Sequence, residues 1–199
     1  MTATLFLVRH AAHGDLGRVL SGRRAGIGLA EHGTEQARRL AHRLKRDPVA
    51  AIVTSPIERA AETAAIIGEA LGVPPATDDA FTEVDFGAWT GRSFESLRDD
   101  PECRLWNEAR SRARPPGGES IHEVQHRAVA ALERLRAAYT GLAVVVVSHG
   151  DVIRAALAHY LGLPLDNLLR FEISPASLSA LVVGDWGGKV LSVNEVPAG

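Results

Sequence analysis

The sequence predicts an α/β sandwich of three layers, a mostly parallel central sheet with helices on both faces. Three observations lead there. The runs Leu5–Val8 and Ala143–Val147, with a shorter third at Ala51–Val53, are continuously apolar rather than alternating, as suits strands covered on both sides. Helical periodicity fills the intervals. Ala37, Leu40, Ala41 and Leu44 follow the i, i+3, i+4, i+7 pattern, as do Ile57, Ala60, Ala61 and Ala64, and later Ile121, Val124, Ala128, Ala131 and Leu135. Strands that alternate with helices in this way are the order of a parallel sheet with crossover connections.

Taken in order, the first strand ends abruptly at Arg9-His10. A helix over the Ala37–Leu44 stripe leads to the Ala51–Val53 strand. Ser55-Pro56-Ile57-Glu58 then places a serine cap, a proline in the first turn and a glutamate three residues on, the spacing of a capping box. Residues 86–118, rich in Arg, Asp, Gly and Pro, read as an insertion or lid within a single domain spanning 1–199. Ser120-Ile121-His122-Glu123 repeats the serine–glutamate spacing after Pro116-Gly117-Gly118, and Ser148-His149-Gly150-Asp151 resembles a third helix start. Strands are expected around Leu168–Ile173, Leu178–Val183 and Val190–Val193.

Composition narrows the function classes. Hydrophobic residues make up 46% and charged ones 23%, and the formal net charge is −2, so nothing points to nucleic acid or a membrane surface as partner. The longest apolar run, Leu142–Val147, has a strand's length and cannot span a bilayer. Cys103 is the sole cysteine, which excludes an internal disulfide and a cysteine-built metal cluster. The first residues carry no cationic leader, and Arg9 interrupts their short apolar run. A cytoplasmic location is the expectation.

Charge placed against local preference marks a candidate site. In open α/β sheets ligands bind at the carboxyl ends of strands, where Arg9 and His10 stand. His149 occupies the mirror position after Ala143–Val147. Arg59 falls in the first turn of a helix, where a cation opposes the macrodipole unless it grips an anion there. Glu83 and Asp85 lie among Phe81, Val84, Phe86 and Trp89, and a carboxyl in such surroundings can be held protonated by desolvation, as a general acid requires. Each has a plainer explanation alone: a solvated strand end, an arginine paired with Glu58 or Glu62, a polar loop face. Together they describe an anion pocket. His32, His42, His122, His126 and His159 fall on helical segments without convergent partners and read as surface or structural. Trp106 and Trp186 read as core or edge packing.

With these residues collected, the chain resembles the histidine phosphatase superfamily, in its phosphoglycerate-mutase-like branch. "LVRHA" at 7–11 is similar to that family's Arg-His-Gly motif. "LAEHGTEQA" at 29–37, "SPIERAAETA" at 55–64, "EVDFGAWTG" at 83–91, "PGGES" at 116–120 and "VVSHG" at 146–150 complete the set in order. The resemblance implies His10 as a nucleophile that forms a phosphohistidine, Arg9, Arg59 and His149 as ligands of the phosphoryl oxygens, and Glu83 as proton donor to the leaving oxygen. It implies no cofactor and no metal, because the arginines and His149 supply the charge. Ala11 stands where the family has glycine, and Ala30 where it has threonine. The stretch after His10 also departs from the family pattern, leaving Ser21 and Gly22 as replacement substrate-binding residues.

The expected activity is hydrolysis of small phosphomonoesters. The alternatives are a cofactor-dependent phosphoglycerate mutase, for which the chain is short, and a non-catalytic phosphate-binding module. A zinc hydrolase built on His10 and His13 finds no HExxH helix or third-ligand spacing. Arg92, Arg98, Arg104, Arg110, Arg112 and Arg114 would suit either a second anionic group on the substrate or a solvated helical face. Proteins of the resembled family are commonly dimeric, which admits a homodimer here.

Overall fold

The computed structural model describes residues 1–198. Six strands form one sheet in the order β3-β2-β4-β1-β5-β6, with β1 at Thr2–Arg9, β2 at Val49–Thr54, β3 at Pro75–Thr77, β4 at Ala143–Ser148, β5 at Leu178–Gly184 and β6 at Gly187–Glu195. The first four in chain order run parallel; β5 is antiparallel to β1, and β6 is antiparallel to β5. The expected sandwich is the one observed.

Side-chain alternation along the strands divides the core in two. Phe6 and Val8 of β1, with Val145 and Val147 of β4, pack against α1 (Glu31–Leu44) and α2 (Glu58–Leu71). Leu5, Leu7, Val144 and Val146 face the other way, toward α5 (Ile121–Ala138) and α6 (Gly150–Leu161). A fully buried Leu or Val contributes roughly 1.5–3 kcal/mol, so a one-residue slip of β1 would be heavily penalised on both faces. The register that positions the site is therefore set by the core. Residues 86–118 carry two short helices, α3 (Phe94–Leu97) and α4 (Pro101–Glu108), on the α5/α6 side. Among the described residues no helix is long and apolar enough to cross a membrane.

Three local expectations fail, each for a physical reason. The segment expected as a strand around Leu168–Ile173 is instead a 3-10 helix at Leu165–Arg170. Leu165 and Leu168 are buried while Leu169 is half exposed, an i, i+3 pattern that an apolar run conceals. The Ser55 capping box does not form: α2 begins only at Glu58, and the Ser55 hydroxyl is engaged elsewhere. Nor does Ser148 cap α6, since its hydroxyl donates to the Phe81 carbonyl at 2.8 Å. The Ser120 capping box does form, with both reciprocal bonds present. Strand β3 has no counterpart in the sequence reading. It is three exposed residues headed by Pro75, a proline tolerated because β3 is an edge.

Candidate active site

Sheet register brings the two histidines together. Arg9 of β1 lies opposite Ser148 of β4, and the next residue on each strand is a histidine. The His10 amide continues the ladder to the Ser148 carbonyl at 2.9 Å, and the two imidazole centroids are 5.1 Å apart. Thr54 of β2 pairs with Val147, and the Ser55 amide reaches the Val147 carbonyl. The carboxyl ends of three neighbouring parallel strands thus meet at one edge, facing a cavity of about 270 Å³.

Hydrogen bonds set the tautomer of each ring. His10 Nδ1 lies 2.8 Å from the Ala11 carbonyl; a carbonyl only accepts, so Nδ1 carries the proton and Nε2 the lone pair. That lone pair accepts from Arg59 Nε–H at 3.2 Å. His149 Nδ1 is 3.3 Å from Arg59 Nη2 and accepts from it, leaving the proton on Nε2, which donates to Ser55 Oγ at 2.8 Å. Ser55 and His149 are completely buried, and His10 and Arg59 nearly so. Burial is the largest cause that drives both imidazoles well below their usual range; Arg59 and Arg9 add to it, as do His10 at His149 and His13 at His10. Both are neutral at physiological pH.

The cations are held by backbone and carry no carboxylate at bonding distance. Arg9 Nη1 donates to the Ile173 carbonyl at 2.6 Å, and Arg59 Nη2 to the Gly22 carbonyl at 2.8 Å. Arg9 Nε and Arg59 Nη1 are buried without an acceptor. Gly22 has φ +50°, and a Cβ there would stand 2.9 Å from Thr90 Oγ1, so glycine is required where the carbonyl turns toward Arg59. Glu83 completes the ring. One of its oxygens accepts from the Val84 amide at 2.9 Å, and the other lies 3.8 Å from His149 Nδ1. Burial, followed by the field of Asp151, raises its pKa against the opposing pull of Arg59 and Arg9. Among the described residues no group of three or more His, Cys, Asp or Glu side chains is placed to hold a metal ion, so His10 and His13 lack the further ligand a zinc site would need.

A profile of the histidine phosphatase superfamily (branch 1) matches residues 5–196. The chain belongs to that superfamily. A bifunctional protein of Mycobacterium tuberculosis is 38% identical over 176 residues, which are 86% of this chain and 48% of that protein; the chain spans about half the length of this relative. Phosphoserine phosphatase 1 of Hydrogenobacter thermophilus is 34% identical over 195 residues, covering 96% of this chain and 91% of that one. Among solved structures, a mycobacterial glucosyl-3-phosphoglycerate phosphatase superposes with a TM-score of 0.87 at 28% identity, over 98% of this chain and all of the other.

Arg9, His10, Ser21, Gly22, Arg59 and Glu83 all line the same cavity, and His149 is buried directly against His10 and Arg59. Asp85 does not join them; it accepts from the Gly87 amide and lies 3.8 Å from Arg23. Ala11 is buried in the core without positive φ, so alanine fits where the family has glycine. Of the six arginines weighed between 92 and 114, Arg110 alone lines the cavity.

Sequence reasoning missed several groups. Ser55 was read as a helix cap, yet it orients His149. His13, weighed from sequence only as a zinc ligand, is 6% exposed, with its ring centroid 5.4 Å from that of His10 and its Nδ1 unpartnered. Trp106, assigned to packing, is buried and forms part of the wall. Only long-range register exposes these roles; a serine at the spacing of a capping box carries no local sign that its hydroxyl is claimed 94 residues away.

Proposed function

We propose that the chain is a cytoplasmic, metal-independent phosphatase that hydrolyses small-molecule phosphomonoesters through a phosphohistidine on His10, with residues 86–118 as a lid. One observation carries this reading. Among the described residues, buried side-chain polar atoms without a partner belong to Arg9, His13, Ser21, Arg59, Arg110 and Ser177, and all but Ser177 line the same cavity. A buried unpaired donor costs roughly 1–3 kcal/mol, so a cluster of them is the signature of a site built to be filled by an acceptor-rich ligand. Arg9 and Arg59 make that ligand an anion, and the phosphoserine and glucosyl-3-phosphoglycerate phosphatases among its relatives act on phosphate esters.

The chemistry follows from the tautomers. His10 Nε2 presents a lone pair to phosphorus while Nδ1–H stays on the Ala11 carbonyl. As the N–P bond forms, the bond from phosphorus to the ester oxygen breaks, and protonated Glu83 delivers its proton to that oxygen. Arg9 and Arg59 hold the charge on the equatorial oxygens by position. Water then attacks phosphorus, the Glu83 carboxylate takes its proton, and the P–N bond breaks to return neutral His10. The positive charge that a metal would bring is already supplied by the two guanidinium groups.

The test is release of phosphate from an aryl phosphate by the wild type and by His10→Ala, with and without EDTA, together with acid-quench detection of phosphohistidine. Chelator-resistant release that vanishes in His10→Ala is the expected result. Conversion of 3-phosphoglycerate to 2-phosphoglycerate without net phosphate release would assign a mutase instead. Phosphate binding with neither activity would leave a recognition module.

A further inference from the structure

Beyond the phosphoryl-binding floor, the cavity changes character. Leu16 and Leu20 from the loop after β1 face Phe86, Phe94, Leu97 and Trp106 from the 86–118 segment. The aromatic side of this wall is fixed in place. Trp106 meets Phe86 edge-on at 6.1 Å and Trp89 at 6.4 Å, and Trp89, Leu97 and Trp106 are all under 4% exposed. Phe94 is different: it lies at the rim and is 46% exposed, a large apolar side chain left wet at the mouth of a site.

The charged groups on this outer part are engaged with each other. Arg110 Nη1 lies 2.8 Å from Asp151 while its guanidinium sits 5.0 Å over the Trp106 ring. Arg154 pairs with the same Asp151 at 3.2 Å and with Glu172 at 3.3 Å. Arg92, Arg104 and Arg114, which could have read a second anion, are paired with Asp100, Asp99 and Glu123 and do not line the cavity. Arg110 Nε has no acceptor, and Nη1, though ion-paired with Asp151, makes no aligned hydrogen bond, which makes Arg110 the rival reader of the leaving group.

We infer that the part of the substrate beyond the phosphate is apolar: the preferred class is a phosphomonoester of an alkyl or aryl alcohol, held between Leu16 and Leu20 on one side and Phe94 and Trp106 on the other. This rests on the phosphatase reading above and goes past it, since phosphoserine and glucosyl-3-phosphoglycerate, named for the relatives, both carry a carboxylate. A carboxylate seated here would have to compete with Asp151 for Arg110 and would desolvate against four apolar side chains. An alkyl chain in the same place would cover the exposed Phe94 side chain.

A ladder of ethyl, propyl and butyl phosphate tests this while leaving-group basicity is nearly constant. Each buried methylene is worth roughly fourfold, so kcat/KM is expected to rise about 15-fold from ethyl to butyl phosphate, and butyl phosphate to exceed phosphoserine and 3-phosphoglycerate. Phe94→Ser and Leu16→Ser, both at partly exposed positions, are expected to flatten the ladder by lowering the butyl-to-ethyl ratio about fivefold or more. A flat ladder in the wild type would overturn the inference. So would a preference for the carboxylate esters that Arg110→Leu abolishes, which would assign Arg110 to a second anion. If no ester is turned over, the phosphatase reading has failed, and the ladder is then read in competition with inorganic phosphate by calorimetry; a rise in affinity with chain length would still support an apolar subsite, and no rise would refute it.

Discussion

Replacing Ser55 by alanine separates a helix cap from a positioning residue. Its Oγ accepts from His149 Nε2–H at 2.8 Å and from the Ile57 amide at 3.3 Å. The His149 ring is completely buried, so its orphaned N–H bears the full desolvation penalty, about 1–3 kcal/mol. The longer amide bond, at a half-exposed position, adds a few tenths. For a chain of this length about 2–4 °C of Tm accompanies each kcal/mol, and Ser55→Ala is expected to lower Tm by roughly 3–10 °C. The second effect is on the ring itself. Without Ser55, the Nδ1–H tautomer no longer forfeits a bond, and its proton points at the Arg59 donor instead of accepting from it. Arg59 is then misplaced by one charge-assisted hydrogen bond, worth about 1.5–3 kcal/mol, which corresponds to a loss of about 10- to 150-fold in kcat. Ser55→Thr keeps the hydroxyl and is expected to restore most of it. Steady-state hydrolysis of an aryl phosphate and differential scanning calorimetry read both quantities. A Tm shift below about 1 °C with kcat unchanged would make Ser55 an ordinary cap and refute the tautomer argument.

Two further predictions concern stability. Ala30 is the N-cap of α1, with extended φ −75° and ψ 162° but no side-chain bond, so Ala30→Thr is expected to add about 1 kcal/mol and to raise Tm by about 2–4 °C; denaturant unfolding checks it, and no gain would mean that the hydroxyl cannot reach the first-turn amides. His13 is pushed down to about 4, chiefly by burial and then by Arg59. Its folded value lies below its unfolded one, so its contribution is intact above about pH 6.5 and is lost as pH falls toward that folded value. His10 and His149 act with the same sign, while Glu83, raised on folding, opposes them as pH rises above the usual carboxylate range. His13→Gln is therefore expected to reduce the pH slope of unfolding free energy between about pH 6 and 4.5 by up to about 1.4 kcal/mol per pH unit; an unchanged slope would place the His13 proton on the folded chain.

Much of the fold was legible because its signals are local or periodic. Ala143–Val147 is apolar throughout since both faces of β4 are covered, and Ser120 with Glu123 announces a helix through atoms three residues apart. Legibility fails where the same local pattern serves two ends. Ser55-Pro56-Ile57-Glu58 has every mark of a capping box, and the hydroxyl is nonetheless drawn to a histidine on another strand. Leu165, Leu168 and Ile173 are buried as three contacts of an irregular segment, which composition cannot tell from a strand. Of the site, Arg9, His10, Arg59 and His149 stood out because they oppose local preference: cations and imidazoles where a strand should be apolar or a helix should attract anions. His13 and Trp106 oppose nothing locally and are defined only by what folds against them.

In the proposed mechanism, Arg59 both restrains the nucleophile and binds its target. The Arg59 Nε–H sits on the lone pair of His10 Nε2, and its charge is one of the causes that keep that imidazole unprotonated. A phosphoryl dianion is a far stronger acceptor than a neutral ring nitrogen. Bound beside Arg59, it competes for Nε–H, while Nη1, on the opposite edge of the guanidinium and without a partner of its own, stays open to a second acceptor. Taking that hydrogen bond uncovers the lone pair at the moment a phosphorus atom is beside it. The proton on Nδ1 cannot migrate to cover it again, held as it is by the Ala11 carbonyl. In that mechanism the charge that binds the phosphoryl group is also one of the causes that keep His10 neutral and ready to attack.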